Sequence, residues 1–438
     1  MASALLESLL GDGERNTSRS TTAAGSRAAA RNAATVALLR DGLPGPRDEA
    51  WKYTHLRALE QRRYVDGDAA AQTRPIDASM FALPGMDGPR LVFVNGVFRA
   101  DLSHRRAMTG LTLATLDECP DAFENALHDD AITDVAARAA AFLRLNVALL
   151  ADGALLRLDA GVKFPESVHL VFIGAPAQGD IAWQMRLRVE LGAGAALQLV
   201  EHHVGAGAHA HLGNLVADYT LGANARLDLV QIQDAAETAA LIRRSAFRVE
   251  RDARLSTHTL EVGAQTMRHD FNVELAGTGA RFDSHGVFAL HGRQHADTHL
   301  DVRHVARDTA CDITWRGVAD QRARGVFHGA IMIAAGADGA DAQLSNKNLL
   351  LSPLAEIDTQ PVLEIHADEV KAAHGATVGQ LDEHALFYLR SRGIPAGAAR
   401  RLLVSAFCGA MLAGIEPVAL RERLHALLAK RLPAAAEV

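Results

Sequence analysis

A repeated unit in the middle of the chain constrains the fold more than any other sequence feature. Each unit begins with a short polar turn, continues with a small residue and ends in alternating apolar residues. The small residues are spaced by 30, 28, 27 and 30 positions, at Ala195, Ala225, Ala253, Ala280 and Ala310. A second turn falls between successive markers, so each unit is predicted to contain two strands and two turns.

Units of nearly constant length that cannot each bury an apolar face are expected to stack on one another. We therefore predict a β-solenoid. Turns such as LGANAR at 221–226 suit its tight corners, because Gly and Asn tolerate positive φ. The same spacing also fits an antiparallel sandwich with evenly spaced hairpins, and the pattern alone leaves both folds open.

The sequences on either side of the repeat are predicted to be helical. Residues 23–59 carry Ala, Leu and Arg at helical spacing, and apolar residues recur between 383 and 432 with few strand formers. Another helix is predicted within 121–150, after Pro120. These helices would cover the ends of a solenoid or dock a partner. The predicted regions are an N-terminal helical region at 1–90, a β core at 91–378 that includes the 121–150 insertion, and a C-terminal helical domain at 379–438.

Charge, hydropathy and cysteine content disfavour several classes of protein. The net charge of −7 is spread without long blocks of one sign, which argues against nucleic acid as the main partner. The absence of an apolar run of about 18 residues or of an N-terminal signal pattern gives no indication of membrane insertion or secretion. The three cysteines, Cys119, Cys311 and Cys408, form no CxxC pair. We therefore expect neither a disulfide scaffold nor a local zinc site. The low cysteine content also favours a cytoplasmic location.

One segment near the end of the chain is more specific. Residues 363–393 read LEIHADEVKAAHGATVGQLDEHALFYLRSRG, a strand-like alternation followed by a helical pattern, and this order predicts that His374 lies in the bend between them. SNKNLLLS at 345–352 and DEAWKYT at 48–54 accompany it. Together these motifs resemble the SufB/SufD family of iron-sulfur cluster assembly proteins, and its SufD members most closely.

The resemblance implies both a fold and a function. The family core is a right-handed parallel β-helix flanked by helical regions, which favours the solenoid over the sandwich. The implied function is that of a non-catalytic subunit that pairs with SufB through the β-helix core and docks the ATPase SufC. None of the five lysines follows a glycine, so no phosphate-binding loop is present and ATP is expected in SufC.

The resemblance also identifies one candidate ligand, His374. The matching histidine of SufD is implicated, with a cysteine and a glutamate from SufB, in an interface site for iron or a nascent iron-sulfur cluster. A neutral imidazole suits ferrous iron. Some relatives carry a cysteine two residues earlier, where this chain has Ala372. No cofactor is expected to bind stably to this chain alone.

The family relationship further places the SufC contact in the C-terminal helical region. SufB members read FYC where this chain reads FYL at 387–389, and they carry Glu where Gly375 stands. This chain is therefore predicted to be the partner of the main scaffold. The residues assigned to the SufC contact are Phe387, Tyr388, Leu389, Arg390, Arg392, Gly393 and Phe407.

Other polar and aromatic residues are interpreted structurally. Trp51, Tyr53 and Thr54 are predicted to fix the helical lid to the end of the solenoid. Asn346 and Asn348 are expected either to form an inward ladder or to cap turns. Histidine-rich groups are predicted on the solvated face, although imidazoles can bind metals. These groups are 201–203 with Glu201, the pair His209 and His211 on one strand face, and His291, His295, His299 and His304.

Two functions of other classes remain as alternatives. The first is a polysaccharide-active β-helix enzyme that uses carboxylates such as Asp297, Asp301 and Asp308, although an aromatic content of 5% and the lack of a signal sequence disfavour it. The second is a homodimeric binding scaffold, in which the β-helix edges of two copies pair.

Overall fold

The repeat folds into stacked two-strand turns. The structure is a computed structural model that describes residues 4–11, 26–68, 70–106, 108–124, 126–127 and 138–432. In it, each turn contributes one strand to each of two sheets, and successive turns pair in parallel. About eight turns form a β-solenoid, with helices from both termini against it. The predicted solenoid is confirmed, and the antiparallel sandwich is wrong.

Sheet A has the strand order β19-β17-β15-β13-β11-β9-β7-β5-β4, with β1 paired to β7, and sheet B has the order β20-β18-β16-β14-β12-β10-β8-β6-β2-β3. The strands in the described residues are β1 Val65–Asp66, β2 Arg90–Val94, β3 Val97–Phe98, β4 Leu111–Thr115, β5 Asp152–Leu158, β6 Lys163–Gly174, β7 Ile181–Leu191, β8 Ala196–Gly205, β9 Leu212–Leu221, β10 Arg226–Asp234, β11 Ala240–Val249, β12 Arg254–Glu261, β13 Thr266–Leu275, β14 Arg281–Leu290, β15 His295–His304, β16 Ala310–Ala319, β17 Arg324–Ile333, β18 Asp341–Leu350, β19 Glu356–Ile365 and β20 Lys371–Gly379.

The α-helices in the described residues are α1 Ala4–Leu10, α2 Ser26–Asp41, α3 Arg57–Glu60, α4 Ala141–Leu149, α5 Glu383–Ser391, α6 Ala396–Gly409 and α7 Val418–Arg431. Short 3₁₀ helices lie at Glu49–Trp51, Ala78–Met80, Pro120–Phe123 and Ala410–Leu412. Of the predicted 121–150 helix, the described part contains the end of the 3₁₀ turn, helical residues at 124 and 126–127, and α4, while 125 and 128–137 lie outside the described residues. No described helix is long and apolar enough to cross a membrane.

The repeat markers stack at one corner of the solenoid. The backbone N–H of Arg226 donates to the carbonyl of Ala195, and that of Arg254 donates to Ala225, each at 2.8 Å. The residue before each of the first four markers has positive φ, for example 58° at Asn224 and 56° at Asp252. Gly, Asn and Asp recur there because they tolerate this conformation best.

The fifth marker was misplaced by one residue. Arg281 pairs with Ala310, so the residue that aligns with Ala280 is Thr309. Thr309 is fully buried and follows Asp308, whose φ is 56°. The error arose because the pattern was aligned on small residues, whereas the left-handed residue before each marker sets the register of the turns.

The N-terminal region covers the outer face of sheet A. The guanidinium of Arg268 on β13 lies 4.3 Å from the ring of Trp51, which stacks on Phe142 of α4 at 5.2 Å. The hydroxyl of Thr54 donates to the carboxylate of Asp297 on β15. Trp51 and Thr54 therefore anchor the lid to a sheet face, and their predicted placement at the solenoid end is wrong.

The C-terminal helices cover part of the outer face of sheet B. Apolar residues of α6 and α7, such as Val404 and Leu424, join a cluster with Val230 and Val287 of the sheet. Polar contacts reinforce this packing, because a ring nitrogen of His258 lies 3.0 Å from the Met411 carbonyl and the side chain of Gln198 donates to the Glu416 carbonyl at 2.7 Å. The helices thus cover sheet faces and leave the C-terminal end of the solenoid open.

Candidate functional site at the open end of the solenoid

The last turn of the solenoid ends in two unpaired strand edges. In the described part of the chain, β19 pairs only with β17, and β20 pairs only with β18. Each strand therefore presents a row of backbone N–H and C=O groups along its free edge. Pro361 within β19 fits an edge position, because proline has no backbone N–H to donate to a neighbouring strand.

His374 lies within strand β20, which corrects its predicted place in a bend. It pairs with Leu344 of β18, a buried member of the solenoid core. Residues in register on parallel strands have their side chains on the same face of the sheet, so the imidazole continues an interior column. Because no strand follows β20 in the described sheet, His374 is exposed at the end of that column.

Apolar side chains surround this histidine at the open end. Ile365 and Val378 occupy inward-facing register positions in β19 and β20, yet they are 43% and 42% exposed. Leu363 and Ala372 are half-buried against the core. The end of the solenoid is therefore an apolar cross-section that contains one imidazole, a combination typical of a docking surface.

A chain of side-chain hydrogen bonds joins the two edge strands beneath this surface. Thr359 of β19 donates to the side-chain oxygen of Asn346 at 2.8 Å, and the amide of Asn348 donates to the same oxygen at 2.5 Å. The Asn348 amide also lies 3.2 Å from the carbonyl of Thr377 on β20. The inward asparagine ladder is thus observed, and it ties the strand of His374 to β19.

A second exposed apolar surface lies on the C-terminal helices. The side chain of Asp382 caps α5 by accepting from the N–H groups of His384 and Ala385. Leu386 is the one buried residue of this helix, while Phe387 and Tyr388 are 70% and 57% exposed. Helix α5 therefore presents two large aromatic side chains that the described chain leaves uncovered.

The remaining residues predicted for the SufC contact divide into two groups. Arg390 and Arg392 are exposed on or beside α5, and the Arg392 guanidinium lies 5.2 Å from the ring of Tyr388. Gly393 ends this segment with a φ of 84°, and Leu389 is half-buried. Phe407, in contrast, is half-buried against sheet B and lies 5.6 Å from the Arg316 guanidinium. It belongs to the attachment face of α6 and not to the exposed aromatic surface.

The structure shows how the histidine-rich groups are arranged. Among the described residues, no three His, Cys, Asp or Glu side chains are grouped closely enough to hold a metal ion. The rings of His209 and His211 stack at 4.4 Å, but both residues precede β9, so the prediction that they share a strand face is wrong. Glu201, His202 and His203 are buried, so their predicted solvated position is also wrong.

The carboxylates of the polysaccharide-active alternative do not form a common catalytic site. Asp297 is fully buried and accepts from Arg268 and Thr54. Asp308 follows the C-terminal end of β15, where it occupies a corner turn with positive φ. Asp301 lies on β15 with Asp297, and the stacked rings of His299 and His328 lie between the two carboxylates. Asp308 lies apart from both, so the three aspartates do not share one site.

Comparison with known proteins identifies the relatives of this chain. Residues 172–407 match the family model described as "SUF system FeS cluster assembly, SufBD core domain", and residues 15–170 match "SufBD protein N-terminal region". The chain is 28% identical to iron-sulfur cluster assembly protein SufD of Escherichia coli, over 91% of this chain and 92% of the relative.

Two further relatives agree with this comparison. An iron-sulfur cluster assembly SufBD family protein of Synechocystis is 29% identical, over 87% of this chain and 86% of the relative. Another, from Mycobacterium tuberculosis, is 30% identical over 89% of each chain. The similarity therefore covers the helical flanks as well as the solenoid.

Proposed function

Because the chain is a SufD-like member of the SufB/SufD family of iron-sulfur cluster assembly proteins, we propose that it is a non-catalytic subunit that pairs with SufB and docks the ATPase SufC in the cytoplasm. The observation that carries this proposal is the uncapped end of the solenoid, where His374 lies in an exposed apolar cross-section. Such a surface needs a partner to satisfy its strand edges and to remove its apolar groups from water.

In this proposal SufB covers the open end of the solenoid. The free edges of β19 and β20 offer backbone groups for pairing, and Ile365 and Val378 offer apolar area. A permanent pairing of this kind is expected to bury about 2,000 Å² or more. A second copy of the chain would use the same surface in the absence of SufB, which gives the homodimer as the alternative for the isolated chain.

His374 would supply one ligand to iron or to a nascent cluster at that interface. The described chain alone groups no three ligands, so the remaining ligands must come from the partner. A neutral imidazole is a suitable ligand for iron, and a site divided between two chains opens or closes when they move. Iron and the cluster are the cargo of this site.

The substitution His374→Ala tests the ligand assignment. The side chain is exposed, so the variant is expected to fold and to elute with SufB and SufC as the same complex, while cluster formation on that complex is lost. The matched control is His104→Ala, which changes an exposed histidine at the opposite end of the solenoid. Unchanged cluster formation by His374→Ala would remove the ligand role, whereas loss of the complex would assign the residue to pairing.

SufC is proposed to dock on α5 through Phe387 and Tyr388. Truncation after Leu386 is a poor test, because it removes α6 and α7 and uncovers the apolar face of sheet B. The double substitution Phe387→Ser and Tyr388→Ser keeps that packing. It is expected to weaken SufC binding at least 100-fold, because interface aromatics commonly contribute 2 kcal/mol or more each.

The matched control for this pair is Val36→Ser and Leu39→Ser on α2. These residues are 65% and 54% exposed and lie in the N-terminal region. The control should leave SufC binding unchanged in the same titration. SufC binding that survives the α5 substitutions, or that falls equally in the control, would contradict the docking assignment. The pairing with SufB is tested separately, by charged substitutions at the exposed Ile365 and Val378.

A further inference from the structure

The interior of the solenoid contains a polar compartment far from both proposed interfaces. It occupies the second half of strands β8, β10 and β12 and the facing parts of sheet A. Leu197 and Leu199 start the inward-facing series of β8, and the same alternation turns Glu201 and His203 inward. The polar side chains of this compartment are Glu201, His203, Tyr219, Gln231, Gln233, Arg243, Ser245, Thr259, Glu261, His269 and Thr298.

One part of the compartment is an ion pair that satisfies itself. The guanidinium of Arg243 donates to the carboxylate of Glu201, and the hydroxyl of Tyr219 donates to the other carboxylate oxygen. Arg243 and Glu201 are 4% and 0% exposed. A buried charge is tolerated when it is paired and hydrogen-bonded in this way. These two charges therefore compensate each other and leave no net charge.

The second carboxyl group, that of Glu261, is also held within the compartment. Its side chain accepts from Thr298 at 3.1 Å and lies 3.4 Å from a ring nitrogen of His269. Burial raises the pKa of Glu261 to about 8, and burial lowers the pKa of His269 and His203 well below the ordinary histidine value. At pH 7 these three groups are therefore uncharged.

Three nitrogen atoms of the compartment have no hydrogen-bond partner. They are Nε2 of His203, Gln231 and Gln233, whose residues are 6%, 2% and 5% exposed. The Gln233 side-chain oxygen accepts from the backbone N–H of Gly263 at 2.7 Å, which fixes the amide orientation and leaves its NH₂ group as a free donor. The Gln231 oxygen accepts from Thr259 at 3.2 Å, so its NH₂ group is free as well.

These donors line one small cavity. Its volume is about 10 Å³, counted as the space open to the centre of a water molecule, and its walls include His203, Gln231, Gln233, Thr259 and Glu261. That size suits one water-sized occupant. Buried donors without partners are rare in folded proteins, because each has lost the hydrogen bond that it makes with water in the unfolded chain. The cavity therefore combines unsatisfied donors with room for a single acceptor.

Aromatic side chains separate this cavity from the open end. The interior column that contains Gln231 passes through Trp315 before it reaches Asn346. The column that contains Gln233 passes through Phe288 before it reaches Asn348. A Cβ atom on Gly286 would lie 2.2 Å from the Trp315 ring, so the aromatic layer fills the available space. The cavity is thus independent of His374 and of the proposed function.

We propose that the cavity is a binding site for one structural water molecule, held by the side-chain amides of Gln231 and Gln233. The occupant accepts from both NH₂ groups and contacts the imidazole of His203. It thereby joins two consecutive turns, since His203 lies on β8 and both glutamines lie on β10. A cation does not fit, because the two amide groups direct hydrogen atoms toward the occupant.

The site is tested by crystal structures of the full chain grown once in sodium chloride and once in sodium bromide. The expected result is a single density peak within about 3.5 Å of Nε2 of both glutamines. A peak without anomalous signal in the bromide crystals identifies water, whereas anomalous scattering from bromide at that peak identifies an anion and overturns the assignment. An empty cavity, or glutamine amides that turn to bond other protein groups, overturns the proposal.

The substitution Gln233→Met provides the second measurement, and Gln231→Met replaces it if the first variant does not fold. Methionine has a similar size but no donor, so the occupant is expected to disappear from the density. The matched control is Gln184→Met, which changes a glutamine that is 1% exposed and also has a free Nε2 but lies outside this cavity. An occupant that stays in the Gln233 or Gln231 variant, or that leaves in the control, overturns the assignment.

Discussion

The two ends of the solenoid carry the same stacked architecture but finish it differently. At the N-terminal end, the antiparallel strands β3 and β4 close the sheets, and Phe98, Met108 and Leu111 pack against the core. At the C-terminal end, the inward-facing residues Ile365 and Val378 remain more than two-fifths exposed. Among the described residues, one end therefore has a cap built from its own chain, and the other does not.

The repeat alone therefore does not decide where a solenoid binds a partner protein. Open strand edges promote aggregation unless something covers them. The capped end covers its apolar groups with short antiparallel strands, which cannot continue the parallel stacking. The uncapped end presents two long strands, β19 and β20, whose outer edges are unpaired in the described sheets. For this reason we assign the partner surface to that end.

The largest expected effect comes from placing charge on the open end. The double substitution Ile365→Asp and Val378→Asp should reduce SufB binding at least 100-fold, because an unpaired carboxylate buried at an interface costs several kcal/mol. In the absence of SufB, the doubly substituted chain should fold, since both positions are exposed. Binding is measured by titration of SufB and folding by thermal melting.

The closed end provides the contrast for this experiment. Met108→Asp should lower the melting temperature, because Met108 packs against the core, while SufB binding per folded molecule stays unchanged. Strong SufB binding by the open-end variant, or its loss in the closed-end variant, would reverse the assignment of the two ends.

The covered regions are expected to lose stability in acid. Burial lowers the pKa of His202, which lies on the outer face of sheet B, to about 4, and lowers that of the interior His304 to about 4. Both imidazoles are neutral in the fold, whereas an unfolded chain protonates them near pH 6.5. Stability contributed by these groups is therefore complete above pH 6.5 and declines as the pH falls toward 4.

This decline has an upper bound of about 3 kcal/mol per histidine, from the pKa difference at 1.36 kcal/mol per unit. Urea unfolding between pH 7 and pH 4 measures it. The substitution His202→Gln removes one of the buried histidines whose pKa is lowered and should make the dependence of stability on pH shallower. An identical slope in this variant would show that His202 does not contribute.

A glycine substitution compares the packed interior with the open turn. Gly286→Ala places a Cβ 2.2 Å from the Trp315 ring and should destabilise the chain by about 1–3 kcal/mol. Gly375→Ala on β20 meets no atom within 4 Å and should change stability by less than about 0.5 kcal/mol. Chemical denaturation of both variants measures the difference, and equal costs would mean that the open turn is packed as tightly as the interior.

The smallest expected effect concerns the corners. Asn224 has a φ of 58°, so Asn224→Ala should cost about 1 kcal/mol because alanine disfavours this conformation. Glu369 lies in the last corner and is not among the residues of positive φ, so Glu369→Ala should be nearly neutral. The same denaturation series measures both. A costly Glu369→Ala would indicate that the final corner is built like the others.

Much of the architecture was predictable from local patterns. The repeat spacing predicted stacked two-strand turns, and Asn224 and Asp252 occupy the left-handed positions that such corners require. The flanking helical patterns predicted α2 and the C-terminal helices α5 to α7. Of the two roles left open for Asn346 and Asn348, an inward ladder or turn caps, the structure shows inward hydrogen bonds. All of these depend on interactions between residues close in sequence or one repeat apart.

The sites were less predictable for a physical reason. His374 was assigned to a bend because it lies between a strand-like alternation and a helical pattern, yet backbone pairing with β18 keeps it extended. The polar interior was missed, although the alternation that starts at Leu197 and Leu199 places Glu201 and His203 on the same inner face. Polar residues are normally expected to face water, so an interior position was not predicted for them. Their hydrogen-bond and charge partners, such as Arg243, come from other turns of the solenoid and cannot be identified from the local sequence.

The amino-acid sequence by itself determined the periodicity, the corner geometry, the helical flanks and the family of this protein, because each is encoded in short-range pattern or motif. Only the tertiary structure decided that the helices cover sheet faces, that one end of the solenoid stays open, and that buried donors converge on a cavity. Those outcomes depend on which surfaces meet across turns, and burial and hydrogen bonding between distant residues select among arrangements that the local pattern allows equally.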